Sequence, residues 1–176
     1  MKIIIVAGMP GAGKEEFLSV AATEGIPFAR MGDVVREYYS ASADRTNGSS
    51  VGEFANAERQ RFGKSIWAKR IVEKMGGKLF LIDGCRSMDE VRAFRECCDD
   101  VVIVGIHSPP EQRYDRIVKR GREDAPKDLN EFNARDTREI SWGLAEVLAL
   151  SEIMIVNATS LDEFRSASAE VMKGLR

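Results

Sequence analysis

The strongest constraint on the chain lies at its start. An apolar run, Lys2–Ala7, passes directly into Gly8-Met9-Pro10-Gly11-Ala12-Gly13-Lys14, and a helix-like segment follows. Gly8, Gly13 and Lys14 stand at the GxxxxGK spacing of a Walker A loop. Glycines at these points let backbone N–H groups turn inward around a phosphate, and the next helix offers its N-terminus to the same anion. Lys14 would reach the β- and γ-phosphates of a nucleoside triphosphate. A plain Gly/Pro turn between strand and helix is the alternative. The residue after the lysine, where Ser or Thr would ligate Mg²⁺, is Glu15, and Glu16 follows. Two acids suit the dipole of a first helical turn. Beside a triphosphate they repel it unless Mg²⁺ lies between.

The rest of the chain repeats the strand-then-helix pattern. Ile26–Ala29, Leu79–Ile82, Val101–Ile106 and Ile153–Val156 are short Ile/Val-rich runs with little alternation, as expected of parallel strands buried on both faces. Helical segments are expected at Lys14–Thr23, Asp33–Ser40, Glu53–Met75, Met88–Cys97, Glu111–Arg120, Asn133–Leu150 and Leu161–Leu175. The order βαβα implies a doubly wound α/β fold. Ser40–Gly52 and Gly121–Asn130 read as loops or inserts. At 176 residues, one domain is expected. The net charge of −2 argues against a nucleic-acid binder. No apolar run nears the ~20 residues of a membrane span, and the N-terminus does not read as a signal peptide. Cys85, Cys97 and Cys98 form no CxxC pair, which points to a reduced, cytoplasmic setting.

Several motifs together resemble the nucleoside monophosphate kinases. Gly8–Lys14 is similar to the GxPGxGK loop of adenylate kinases, Gly32-Asp33-Val34-Val35-Arg36 to their GDxxR, and Leu81-Ile82-Asp83-Gly84-Cys85-Arg86 to their DGxPR. Gly121-Arg122-Glu123-Asp124, with Arg135 and Arg138, resembles the lid of that family. The stretch from Ile155 to Phe164, through Asn157 and Ala158, looks more like the C-terminal strand and base-binding loop of dephospho-CoA kinases. As a whole the chain resembles an archaeal group that combines both sets of features. The resemblance implies a P-loop NTPase fold, three layers α/β/α with a five-stranded parallel sheet. It also implies an acceptor-binding insert at about 31–75 and a short lid at about 121–133.

The same residues have physical readings of their own. Arg36 falls in the first turn of a helix that Asp33 is expected to cap, where a cation opposes the helix dipole unless an anion sits nearby. Pairing with Glu37 is the alternative. Asp83 ends a buried strand, where α/β sheets hold ligands, and could bind Mg²⁺ through water or cap the next turn. Arg113, Arg116 and Arg120 share one helical face, with Arg122 next, and form either a phosphate-facing cluster or a solvated surface. Arg59 and Arg61 could grip an acceptor or face solvent. His107, the single histidine, is expected in a turn, and Trp67 and Trp142 in packing.

The expected activity is phosphoryl transfer from ATP·Mg²⁺ to a small nucleotide acceptor, AMP first. A dephospho-CoA-type kinase and a nucleotide-binding switch with weak turnover are the alternatives. ATP would contact Gly8, Met9, Pro10, Gly11, Ala12, Gly13, Lys14, Glu15, Glu16, Asn157 and Ala158. The acceptor would contact Asp33, Arg36, Arg59, Asp83, Arg86, Arg135 and Arg138, and Lys14, Arg86, Arg120 and Arg122 would carry catalysis.

Overall fold

The structure is a computed structural model that describes residues 1–42, 47–122 and 125–176. Residues 43–46 of the Ser/Gly-rich stretch, and Glu123 and Asp124 of the lid motif, lie outside the described residues. The elements run β1 (Lys2–Gly8), α1 (Lys14–Thr23), β2 (Phe28–Arg30), α2 (Met31–Ala41), α3 (Val51–Phe62), α4 (Ile66–Val72) and β3 (Leu79–Asp83). They continue as α5 (Met88–Cys97), β4 (Asp100–His107), α6 (Pro110–Arg120), α7 (Leu129–Ser141), α8 (Leu144–Ala149), β5 (Ile153–Val156) and α9 (Leu161–Leu175).

The strands form a five-stranded sheet in the order β2-β3-β1-β4-β5, with every neighbouring pair parallel. The period-2 geometry of a strand divides the central one between two cores. Ile3, Ile5 and Ala7 of β1 belong to a cluster with residues of α2, α3, α4, α5 and α8. Ile4 and Val6 belong to a second cluster with α1 and α9. All five side chains are essentially inaccessible to water, which explains why β1 reads as an unbroken apolar run. The fold is the three-layer α/β/α arrangement of P-loop NTPases, as expected.

Two expected long helices are each broken by a glycine. The segment 53–75 divides into α3 and α4 at Gly63 (φ 95°, ψ 157°), and 133–150 divides into α7 and α8 at Gly143 (φ 105°). The first break lets α4 turn back under the sheet and bury Trp67, whose indole N–H donates to the carbonyl of Ala55 at 3.3 Å. Helix α7 also starts earlier than expected, because Asp128 caps it by accepting from the N–H of Glu131 at 2.9 Å. Strand β2 is shorter and later than expected, and it runs straight into α2. Arg30 is therefore the N-cap, and Asp33 lies in the first turn instead of capping it. Burial of Met31 at the head of α2 anchors the helix earlier than a capping preference alone would place it. Arg36 accordingly falls in the second turn.

The backbone at Gly63 lies in a region that costs other residues about 1–3 kcal/mol. Nothing crowds the position of a Cβ there. Gly63→Ala should therefore lower stability by about that amount in denaturant unfolding, without loss of secondary structure.

Candidate functional site

The C-terminal ends of the strands surround a cleft of about 610 Å³. Its floor is the loop after β1. No side chain caps α1, whose N-cap is Gly13 in the left-handed conformation (φ 115°). A Cβ on Gly13 would lie 2.4 Å from the amide nitrogen of Asn157, so the loop closes around a glycine at this point. The Asn157 amide donates to the Ala12 carbonyl at 2.8 Å, and Arg116 donates to the Asn157 carbonyl at 3.1 Å. These contacts join the loop after β5, α6 and the glycine loop into one unit.

Lys14 points along the loop and donates to the Gly8 carbonyl at 2.7 Å. Burial pushes its ammonium below the usual lysine range, and Asp83 and Glu139 oppose that shift. Asp83 faces it from the end of β3. Burial drives the Asp83 carboxyl above the usual range, against the pull of Lys14 and Arg30, and its buried Oδ1 makes no hydrogen bond among the described residues. A buried carboxylate oxygen without a partner fits a Mg²⁺ ion held through water, since Mg²⁺ keeps most of its waters and takes one or two carboxylates plus substrate phosphates. Glu15 pairs with Arg30 and Glu16 with Arg165. The two acids after the lysine are thus neutralised from β2 and from α9.

Arg36, Arg86, Arg120, Arg122 and Arg135 line the cleft with Gly8, Pro10, Gly11, Gly13, Lys14, Glu15, Glu16, Asp83 and Asn157. Met9 and Ala12 do not line it; Ala12 is packed in the core behind the loop. Ala158 offers its carbonyl to Gln112 at 3.5 Å. Asp33 is exposed and pairs with Arg36. Arg138 lies over the Trp142 ring at 5.6 Å. Arg59 is found in a second cavity of about 330 Å³ between α3, the start of α5 and the end of α7; Arg86 lines both cavities.

The arginine face of α6 divides by depth. Arg113 is 3 % exposed. It forms a two-pronged pair with Asp136 and donates to the carbonyls of Pro10 at 3.1 Å and Ser108 at 3.2 Å. It therefore braces the glycine loop against α7, while Arg120 lines the cleft. The sequence reading missed Asp136, Glu139, Glu90 and Arg30. In sequence they are ordinary helix or strand-end charges, and only their long-range partners distinguish them.

Residues 4–139 match the model of a family described as an AAA domain. The UPF0200 protein of Thermoplasma volcanium is 40 % identical over 171 residues, which are 97 % of this chain and 96 % of that protein. The chain belongs to the UPF0200 family and, over the matched residues, to the AAA domain family. A second UPF0200 member, from Hyperthermus butylicus, is 38 % identical over 176 residues, covering 98 % of this chain and 94 % of that one. Among solved structures, TT1252 from Thermus thermophilus superposes with a TM-score of 0.66 at 15 % identity, covering 99 % of this chain and 98 % of that one. Shikimate kinase from Bacteroides thetaiotaomicron also gives 0.66, at 13 % identity and 98 % coverage of both chains. This UPF0200 chain thus has the fold of P-loop kinases. Among its described residues, no helix is long and apolar enough to cross a membrane.

Removing one member of a buried ion pair leaves the other charge uncompensated, at a cost of about 3–5 kcal/mol. Asp136→Ala should destabilise the protein by about that amount in chemical denaturation. It should also weaken nucleotide binding measured by calorimetry, because Arg113 would lose its brace beneath Pro10.

Proposed function

We propose that the protein is an ATP-dependent phosphotransferase that moves the γ-phosphoryl group to a small nucleotide acceptor, a nucleoside monophosphate first. The carrying observation is that Lys14, at the mouth of the glycine loop, opens into the same cleft as Asp83 and the arginines of four separate segments. Transfer of a phosphoryl group needs little covalent help and much charge neutralisation and alignment. The cleft supplies both in a chain whose net charge is only −2.

In this reading the loop N–H groups and Lys14 hold the β- and γ-phosphates. Asn157 orders the loop from behind, and the adjoining Ala158 segment lies toward the base. Arg36, Arg86 and Arg59 hold the acceptor. Arg120 and Arg122, with Arg135, meet the transferring group. The chain acts as a single kinase domain with an acceptor-binding insert at about 31–75 and a lid at about 121–133, in a cytoplasmic setting. Mg²⁺ would be held by Asp83 through water, where it offsets phosphate charge. Glu15, already paired with Arg30, contributes less to that ion. A dephospho-CoA-type acceptor is the second reading, motivated by the resemblance of the stretch from Ile155 to Phe164 to the C-terminal strand and loop of dephospho-CoA kinases.

The decisive experiment is ADP release from ATP·Mg²⁺ across a panel of nucleoside monophosphates and dephospho-CoA. Sustained turnover with one acceptor is expected. ATP binding without acceptor-dependent turnover would leave only a nucleotide switch. Lys14→Ala should fold normally and lose most of its ATP affinity, since a point charge on the phosphates is gone.

A second measurement addresses Asp83. Its buried carboxyl is held above the normal range mainly by desolvation, so Asp83→Asn removes a destabilising charge. The nucleotide-free variant should melt at a higher temperature than the natural protein. Calorimetry should show that the Mg²⁺-dependent increment of ATP affinity has disappeared.

A further inference from the structure

Two carboxylates that the proposed mechanism leaves unused converge on Arg86. Glu90, in the first turn of α5, is 1 % exposed, and Glu139 on α7 is 7 % exposed. Glu90 accepts the backbone N–H of Arg86 through Oε2 at 2.8 Å, and its Oε1 lies 3.7 Å from Nη2 of Arg59. Glu139 accepts from Nε of Arg86 at 2.7 Å. The Arg86 guanidinium lies over the Trp142 ring at 5.1 Å. Among the described residues, its two Nη nitrogens make no hydrogen bond. Burying two carboxylates is costly unless each is paired and hydrogen-bonded. Here one clamps the backbone and the other the Nε edge of a single arginine.

A guanidinium held by Nε through one partner still presents its two Nη groups as a fork suited to a two-oxygen anion. We infer that Glu90 and Glu139 are positioning residues that present the Nη edge of Arg86, with Arg59 beside it, as a seat for an oxyanion of the acceptor where the two cavities meet. This rests on the reading above that Arg86 lies on the acceptor side of the cleft. It deepens that reading by adding the two buried carboxylates that aim Arg86 at the acceptor's anion. The second cavity, with Asn56 and Gln60 on its α3 wall, would receive whatever extends beyond that anion.

The test separates positioning from charge. Inorganic phosphate is titrated while Trp142 emission is followed, with Trp142→Phe identifying the signal. Lys14→Ala is run alongside to remove phosphate taken up by the glycine loop. The natural protein should respond through Trp142. Glu90→Asp and Glu139→Asp keep the charge but are one methylene too short, and each should weaken the response by about tenfold or more. Glu139→Gln keeps an acceptor for Nε and removes a nearby negative charge, so it should bind phosphate no more weakly than the natural protein. ATP affinity should be unchanged in the two aspartate variants, which keep the charge that faces Lys14. Should Glu90→Asp fail to fold, the Glu139 pair of variants carries the same contrast.

Titration with acetate distinguishes the two sources of oxyanion: competition with phosphate assigns a carboxylate, and its absence a phosphate. A natural protein that does not respond to phosphate, aspartate variants that bind as it does, or ATP affinity falling in step with phosphate affinity would each overturn the inference. ADP release is measured separately. Loss of turnover with an intact phosphate response defeats the kinase reading alone, and the reverse defeats the seat alone.

Discussion

The structure depends on the burial of β1 on both faces. With a neighbour strand on each side and a core cluster on each face, the strand has no exposed backbone until it ends at Gly8. Its last residues can only release the chain at the C-terminal edge of the sheet. The glycine loop therefore sits where parallel sheets expose converging strand ends. Arg30 from β2, Asp83 from β3 and Asn157 just after β5 come from the same edge, while Arg36 on α2, Arg120 on α6 and Arg135 on α7 reach the cleft from helices.

Charge around that edge is arranged in depth. The innermost cations, Arg113 and Lys14, are engaged by protein groups and shape the loop. A middle tier, Arg86 and Arg59, is held by buried carboxylates. Arg36, outermost, has among the described residues an exposed i,i+3 partner, a contact worth a few tenths of a kcal/mol. Helix α7 links the tiers: Asp136 and Glu139, one turn apart, pair with Arg113 and Arg86 respectively. The segment between α6 and α7 thus ends on a helix attached both to the phosphate loop and to the acceptor side.

Much of this was legible in the sequence, for an identifiable reason. A strand buried on both faces needs an unbroken apolar run, and Gly8–Lys14 had to follow one directly to form a cradle. The sheet, its helices and the glycine loop could therefore be read from local pattern. The helix breaks at Gly63 and Gly143 could not, because a glycine inside a helical pattern is compatible with continuation at modest cost. Gly143 breaks its helix where the backbone meets the carbonyl of Arg86, 3.2 Å from a Cβ built there, a contact far away in sequence. Arg113, Arg116 and Arg120 are equivalent by spacing; their different roles follow from Asp136, Asn157 and the cleft. The expected Asp33 cap failed for a related reason, since Met31 burial outweighed a local hydrogen-bond preference. Likewise Glu90 and Glu139 look like ordinary helix-surface acids until Arg86 is placed between them.

The contact between Gly13 and Asn157 constrains how this loop can change over generations. The amide of Asn157 fills the space that a Cβ at position 13 would occupy, and it also supplies the hydrogen bond to Ala12. Neither position is free to drift alone. A side chain at 13 is blocked while Asn157 remains, and shortening Asn157 first sacrifices the bond that orders the loop. The route from this sequence to one with a different residue at 13 passes through a poorly functioning intermediate, whichever step comes first. Two sites from opposite ends of the chain thus behave as one heritable unit.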